Sequence, residues 1–236
     1  MEVNYQKLGL KNDYLYEILA TTLSFKDKVT IPNTSCMGIR IRNNQIILKP
    51  YQNTKTYRNL QNNSLISINF VENVYLYALA ALKGPYLLKK YETFPEQYYS
   101  YYKIKYNKHL KTIQIPYVRD AWAIIICKTK KAVNFDKEDV FGTVNLTKFE
   151  LDMLSILKLK DSSKLFNRAE NLTLEALILT TRLKVAKENK NYDLMMDIQN
   201  KIDFTIKSIE RFSENQEVSK SIVLIKEYIR NLKSVF

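Results

Sequence analysis

The chain is short of glycine and histidine. Its 236 residues include four glycines, Gly9, Gly38, Gly84 and Gly142, and no two of them are spaced for a GxGxxG or GxxxxGK[ST] pattern. The sequence therefore excludes a Rossmann dinucleotide loop and a P-loop. Its one histidine, His109, excludes HExxH zinc sites and centres built from several histidines, so we predict no metal site.

Cysteines and long apolar runs are also scarce. Cys36 and Cys127 stand 91 positions apart and form no CxxC pair, which is typical of a protein in a reducing compartment. The longest purely apolar run, 121–127, is far too short to span a bilayer. The first eleven residues lack the apolar stretch of a secretory signal. We therefore expect a cytoplasmic protein with no membrane partner.

Positive charge is in excess, and it is unevenly spread. The net charge is +13; residues 1–141 hold 21 Lys and Arg against 11 Asp and Glu, whereas residues 142–236 hold 16 against 13. An anionic partner is therefore expected in the first part. Many tyrosines lie among lysines in residues 86–117 and could stack nucleic-acid bases, so a basic nucleic-acid-binding module without catalysis is one interpretation. The other is that the charge only confers solubility.

The first part of the chain predicts mainly strands. We infer them from aromatic and aliphatic residues with partial or full alternation, bounded by turn residues. Pro32 is expected to break the pattern, and Asn43 and Asn44 predict a hairpin turn. Residues 86–117 allow no clear assignment. The predicted strands cover residues 14–23, 34–41, 45–49, 64–70, 122–128 and 133–135.

Helical periods appear in three places. Thr54 can cap a short helix over 54–62, and a second short helix is predicted over 74–82. From about residue 146 the apolar period becomes helical, with amphipathic stripes at 172–186, 195–209 and 218–232. The sequence thus predicts an α+β protein with a β-rich domain over 1–140 and a helical domain over 141–236.

The order of short motifs along the chain resembles a known family, the largely archaeal and uncharacterised domain of unknown function 447. The resemblance covers most of the chain except residues 86–117. Each motif is short, and their order and spacing carry the likeness. The motifs lie at 17–22, 32–33, 37–39, 49–51, 54–60 and Asn69, and in the helical part at 166–170, 175–176 and 181–183.

The resemblance implies an FMN-binding split β-barrel, related to flavin reductases and pyridoxamine-phosphate oxidases, followed by a helical region. It also implies a homodimer with FMN at or near the interface. The reaction of this family is not established, so the expected function is that of a flavoprotein, with flavin-dependent oxidoreductase activity as an open expectation and no catalytic residue assigned.

An FMN site needs a cradle for the phosphate. Thr54, Lys55 and Thr56 begin the short helix, where free N–H groups and the helix dipole favour an anion. Lys49 could reach this place from the preceding strand, and Asn59 could donate from one turn further on. The alternative is that Thr54 is only a helix cap and the lysines are only solvated.

The flavin ring needs flat support and donors for its pyrimidine edge. Asn33 and Ser35 can donate hydrogen bonds, Gly38 allows close approach to a planar ligand, and Thr22 lies on the adjacent strand. Met37, between them, fits either the ring site or the barrel core.

Three further residues are weaker candidates for the site. Trp122 could form a wall for the flavin or belong to the core. Arg168 precedes a helix of the second part and could meet the phosphate or the ring, or it could be an exposed terminal arginine. His109 has no evident carboxylate or serine partner, so no catalytic role is predicted for it.

Overall fold

The structure, a computed structural model, describes residues 5–26, 29–106, 111–139, 142–162, 168–212 and 216–234. His109 and the first two residues of the 166–170 motif lie outside these ranges. The chain forms two compact units. The barrel unit comprises Met1–Glu72 and Glu96–Ser162, and the helical unit comprises Asn73–Pro95 and Ser163–Phe236.

The barrel unit contains eight strands within the described ranges, and six of them close into a barrel in the order β1-β2-β3-β8-β7-β4, with every neighbouring pair antiparallel. The remaining two, β5 and β6, form a separate antiparallel hairpin. The strands are β1 (Tyr16–Lys26), β2 (Val29–Arg42), β3 (Gln45–Leu48), β4 (Leu65–Phe70), β5 (Tyr99–Tyr106), β6 (Lys111–Val118), β7 (Ala123–Asp139) and β8 (Gly142–Lys158).

The barrel core follows the two-residue period of its strands. One face of each strand contributes apolar side chains to a buried cluster that includes Ile18, Ile39, Ile68, Ile125 and Phe149. All six residues of β4 are buried, because β6 packs against the outer side of β1 and β4. Polar residues on that outer side must therefore find partners within the protein.

A short helix, α1 (Lys55–Asn62), packs against β1 and β2. Thr54 caps it, since the Tyr57 N–H donates to the Thr54 hydroxyl oxygen at 3.2 Å. Leu60 joins the barrel core, and the ring of Tyr57 lies 6.3 Å from that of Phe149. The predicted cap and the apolar spacing within the helix are thus both present.

The helical unit contains four α-helices in the described ranges. They are α2 (Val74–Leu82), α3 (Arg168–Glu188), α4 (Tyr192–Phe212) and α5 (Gln216–Ser234). Helix α3 packs against the other three, and α2 also packs against α5. The buried positions of α3 include Ala176, Leu179, Leu183 and Ala186, on the stripe predicted from the sequence. In the part of the chain that the structure describes, no helix is both long and apolar enough to cross a membrane.

Several predicted boundaries are wrong. Pro32 does not end a strand: it lies within β2, opposite Leu23, where β2 pairs with β1 but not with β3, so its missing N–H is tolerated. Residues 146–158 are not helical but belong to β8. The two predicted strands at 122–128 and 133–135 are one strand, β7, whose pairing with β8 shifts register twice.

The predicted division of the chain at residues 140 and 141 also differs from the structure. This position is the connection between β7 and β8, two paired strands of the same barrel. The barrel unit continues to Ser162, and the helical unit includes the earlier segment Asn73–Pro95. The α+β class, with a barrel followed by C-terminal helices, is confirmed.

Candidate functional site

A group of polar side chains, buried except for the half-buried Ser35, lies where α1 packs against β1 and β2. We call it the polar cluster; it consists of Thr22, Asn33, Ser35, Thr56 and Asn59. Thr22 and Asn33 are opposite each other in the β1–β2 ladder, and Thr56 and Asn59 are one helical turn apart in α1. The structure thus brings together five of the residues that the sequence singled out.

Hydrogen bonds join the members of the polar cluster. The Thr56 hydroxyl donates to Ser35 Oγ at 3.1 Å, and the Asn59 amide donates to Thr22 Oγ1 at 3.0 Å. The Thr22 hydroxyl in turn donates to the backbone carbonyl of Asn33 at 3.3 Å. These bonds hold α1 to both strands.

The Asn33 amide makes two long hydrogen bonds within the polar cluster. Its Nδ2 donates to Thr56 Oγ1 at 3.3 Å and to Ser35 Oγ at 3.5 Å, beyond the usual range of about 2.7–3.2 Å. Bonds this long are weak. An oxyanion that offered a charge-assisted bond could displace them at little cost.

The first turn of α1 adds backbone donors beside the polar cluster. The Thr54 side chain already accepts from the Tyr57 N–H and donates to the Tyr51 carbonyl at 2.7 Å. The intrahelical acceptors for the N–H groups of Lys55 and Thr56 would lie four residues earlier, before the helix begins, so helix geometry leaves these N–H groups available to an anion. Lys55 is exposed and adds positive charge at this end.

The β2 residues beyond the polar cluster are arranged as follows. Met37 is half-buried and packs against the barrel core. Gly38 lies opposite Glu17 on the other face of the strand. A Cβ at Gly38 would lie 2.9 Å from Leu15 Cδ1, the end of an exposed, flexible side chain. Because Gly38 has no side chain, Leu15 and the Glu17 carboxylate can lie close to the β2 backbone on this face.

Three predicted site residues lie outside the polar cluster. The Lys49 ammonium lies 5.5 Å from the centre of the Phe135 ring. The half-buried Trp122 packs on Phe70, with ring centres 5.6 Å apart, against the barrel core. Arg168 is the first residue of α3 and belongs to the helical unit.

A second buried polar network was not predicted from the sequence. On the outer side of the barrel, Thr21 and Thr34 share a hydrogen bond of 2.8 Å, and the Thr34 hydroxyl donates to the Tyr99 oxygen at 2.9 Å. Burial raises the pKa of Tyr99. The alternation of Ser67 and Asn69 with apolar residues in β4 was the available clue, but its meaning depends on the cover provided by β6.

Asn69 is the centre of this second network. Its amide donates to the Leu19 carbonyl at 2.7 Å and to Thr21 Oγ1 at 3.1 Å. Its oxygen accepts from the Val118 N–H at 2.8 Å, and Ser67 donates to the Pro116 carbonyl at 2.7 Å. The network fixes β6 to the outer side of β1 and β4, next to the strand that carries Thr22.

The acidic and thiol groups of the described residues show no metal-binding arrangement. Within the described ranges, no three His, Cys, Asp or Glu residues are grouped closely enough to hold a metal ion. Cys127 is buried in the core, and burial raises the pKa of its thiol. Partial burial also raises the pKa of Glu17, which lies opposite Gly38.

The sequence of the barrel unit matches a known protein family. Residues 16–159 match the N-terminal domain of a family described as protein of unknown function (DUF447). The chain belongs to this family. A relative is an uncharacterized protein of Methanocaldococcus jannaschii, 26% identical over 165 residues, which cover 70% of this chain and 72% of the relative.

A solved member of the family has the same fold. It is the FMN-bound protein from Methanosarcina mazei, which is 17% identical and superposes with a TM-score of 0.68 over 95% of this chain and 100% of its own. The superposition extends beyond the matched N-terminal domain, so the fold shared with this protein includes the C-terminal helices.

Proposed function

We propose that this protein is an FMN-binding flavoprotein. The observation that carries the proposal is the shared fold with an FMN-bound family member over nearly the whole chain. The chemistry of the polar cluster agrees with it, because the cluster combines exchangeable hydrogen bonds with the N–H groups and the lysine of a helix start. The alternative, a nucleic-acid-binding module, is supported only by the positive charge and by the tyrosines among lysines in residues 86–117.

In this proposal the phosphate binds at the start of α1. The N–H groups of Lys55 and Thr56 donate to its oxygens, and the Lys55 ammonium supplies charge. The Asn33 amide exchanges its long bond to Thr56 for a bond to the anion, and the Thr56 hydroxyl turns its proton from Ser35 to the anion. Asn59, whose amide holds Thr22 at 3.0 Å, keeps the helix in position. Thr54 acts as the cap that orients the first turn.

In this arrangement the flavin ring extends along β2 on the side of Ser35 and Met37. Gly38 lies on the opposite face of β2, where its missing side chain leaves room for Leu15. FMN, when bound, supplies the redox chemistry, and the protein binds and orients it. We propose that the protein is a homodimer with FMN at or near its interface. Trp122 then contributes from outside the polar cluster.

The reaction that fits such a flavoprotein is a flavin-dependent electron transfer with a nicotinamide as candidate donor. Anaerobic mixing of the FMN-loaded protein with reduced nicotinamides tests this by bleaching of the flavin absorption. No bleaching with either NADH or NADPH would refute the nicotinamide step without affecting FMN binding.

FMN binding itself is tested by the visible spectrum of the desalted protein and by fluorescence titration. We expect about one flavin per chain. Thr56→Ala and Lys55→Ala should each weaken binding by about 1–3 kcal/mol, the usual scale for a lost hydrogen bond to a charged group. The matched control is Thr143→Ala, an exposed threonine in β8. A wild-type protein that retains no FMN would refute the proposal, and unchanged affinity in both variants would place the phosphate elsewhere.

A further inference from the structure

A basic groove lies on the outer face of the barrel, across β2, β3 and β8. It encloses about 240 Å³. The side chains come from alternate positions of the three strands, on the face opposite to the core residues Ile39, Ile41, Leu48 and Leu151. The residues that define the groove here are Arg40, Arg42, Ile47, Lys49, Lys148 and Glu150.

The strand register explains why cations meet there. Arg40 is opposite Ile47, which is opposite Glu150 on the next strand. Leu48 and Phe149 are paired with their side chains in the core. Lys49, the residue after Leu48, and Lys148, the residue before Phe149, therefore point outward together. The groove therefore has an apolar floor at Ile47 and basic walls.

The lining holds four cations against one carboxylate. Lys148 pairs with Glu150 at 2.7 Å, and Arg42 pairs with Asp13. The other two cations contact neutral groups. The Arg40 guanidinium donates to the backbone carbonyl of Asp13, and the Lys49 ammonium lies over the Phe135 ring. These partners carry no net charge, so the groove retains uncompensated positive charge.

The positive charges around the groove also act on the pKa of its one carboxylate, Glu150. Its hydrogen bond to Lys148 and the charges of Lys148, Lys131 and Lys130 lower the pKa of Glu150 below its ordinary value. Lys131 is opposite Glu150 in the β7–β8 ladder. The basic surface thus continues from the groove onto β7.

We propose that this groove is a binding site for the di- or polyphosphate group of a small organic anion, separate from the flavin. The guanidinium of Arg40 provides paired N–H donors for phosphate oxygens, and Lys148 provides a mobile point charge beside it. The groove volume is below the range of roughly 300–1,000 Å³ typical of pockets that enclose a whole drug-sized ligand. It therefore suits a phosphate group, with the rest of the ligand outside.

The test is a calorimetric titration of the full-length, FMN-loaded protein with inorganic pyrophosphate at low salt. Arg40→Gln and Lys148→Gln should each weaken binding by about threefold to tenfold, the scale expected for an exposed charge. Glu150→Gln should tighten it by about threefold, because it removes the opposing charge and releases Lys148. Lys160→Gln, an exposed lysine of the same unit outside the groove, is the matched control for net charge.

Three results would overturn the proposal. The first is that Arg40→Gln and Lys148→Gln change pyrophosphate affinity no more than Lys160→Gln does. The second is that both variants weaken FMN by the same factor as pyrophosphate, since the groove would then be part of the flavin site. The third is that a single-stranded oligonucleotide binds the groove and pyrophosphate does not compete. Because FMN affinity is measured separately, failure here leaves the flavin proposal intact.

Discussion

Replacement of Asn69 by alanine should destabilise the barrel unit strongly. Asn69 is fully buried, and its side chain serves β1, β4 and β6 at once. The change leaves the Val118 N–H without its acceptor, which costs about 1–3 kcal/mol for a buried group, and it removes the bond to the Leu19 carbonyl, worth about 1 kcal/mol. We expect the free energy of unfolding to fall by about 2–4 kcal/mol in total.

The assay is urea unfolding followed by fluorescence of Trp122, the one tryptophan of the chain, which lies in the barrel unit. Asn145→Ala is the matched control, because Asn145 is an exposed asparagine in β8 and its loss should cost less than about 0.5 kcal/mol. Ser67→Ala, which loses one bond to Pro116, should cost about 1 kcal/mol and covers the case in which Asn69→Ala does not fold. A loss below about 1 kcal/mol for Asn69→Ala would refute the reasoning.

Two further predictions concern titratable groups. In the native protein a thiol reagent should label Cys36 at least about tenfold faster than Cys127, because burial raises the pKa of the Cys127 thiol and excludes the reagent; peptide mass mapping of equal rates would contradict this. Burial raises the pKa of Tyr99 above its usual value near 10, so the unfolded chain releases this proton first and stability should fall as pH rises above about 10. Tyr99→Phe should make that fall less steep in thermal melts, and an unchanged slope would disprove the assignment.

The parts of the fold that were predicted correctly depend on local patterns. The α1 helix has its cap at Thr54 and its apolar spacing within one turn. The Asn43–Asn44 turn needs positive φ at both residues, and the structure has φ of 50° and 58° there. The stripes of α3, α4 and α5 repeat over several turns, which distinguishes them from strands.

The parts that were missed depend on partners distant in sequence. Residues 146–158 combine leucines at spacings that suit either period, and only pairing with β3 and β7 decides for a strand. Pro32 is tolerated because the pairing of β3 with β2 does not extend as far as Pro32, and no local pattern shows this. The second polar network needs β6 to cover β4, and residues 86–117 gave no clear prediction. The residues of the polar cluster could be predicted because the family resemblance, rather than periodicity, pointed to α1 and β2.

The helical unit takes one of its helices from the middle of the chain, and this limits how the protein can be divided. Val74, Leu76, Leu79 and Leu82 of α2 are buried, and the helices that pack against α2 are α3 and α5, which begin about ninety or more residues later. During synthesis, α2 leaves the ribosome long before α3 and α5, which cover its apolar surface, have been made. A fragment that stops at Ser162 would keep that surface exposed to water, so expression of the barrel without the C-terminal helices should favour aggregation unless residues 73–95 are replaced by a short polar linker.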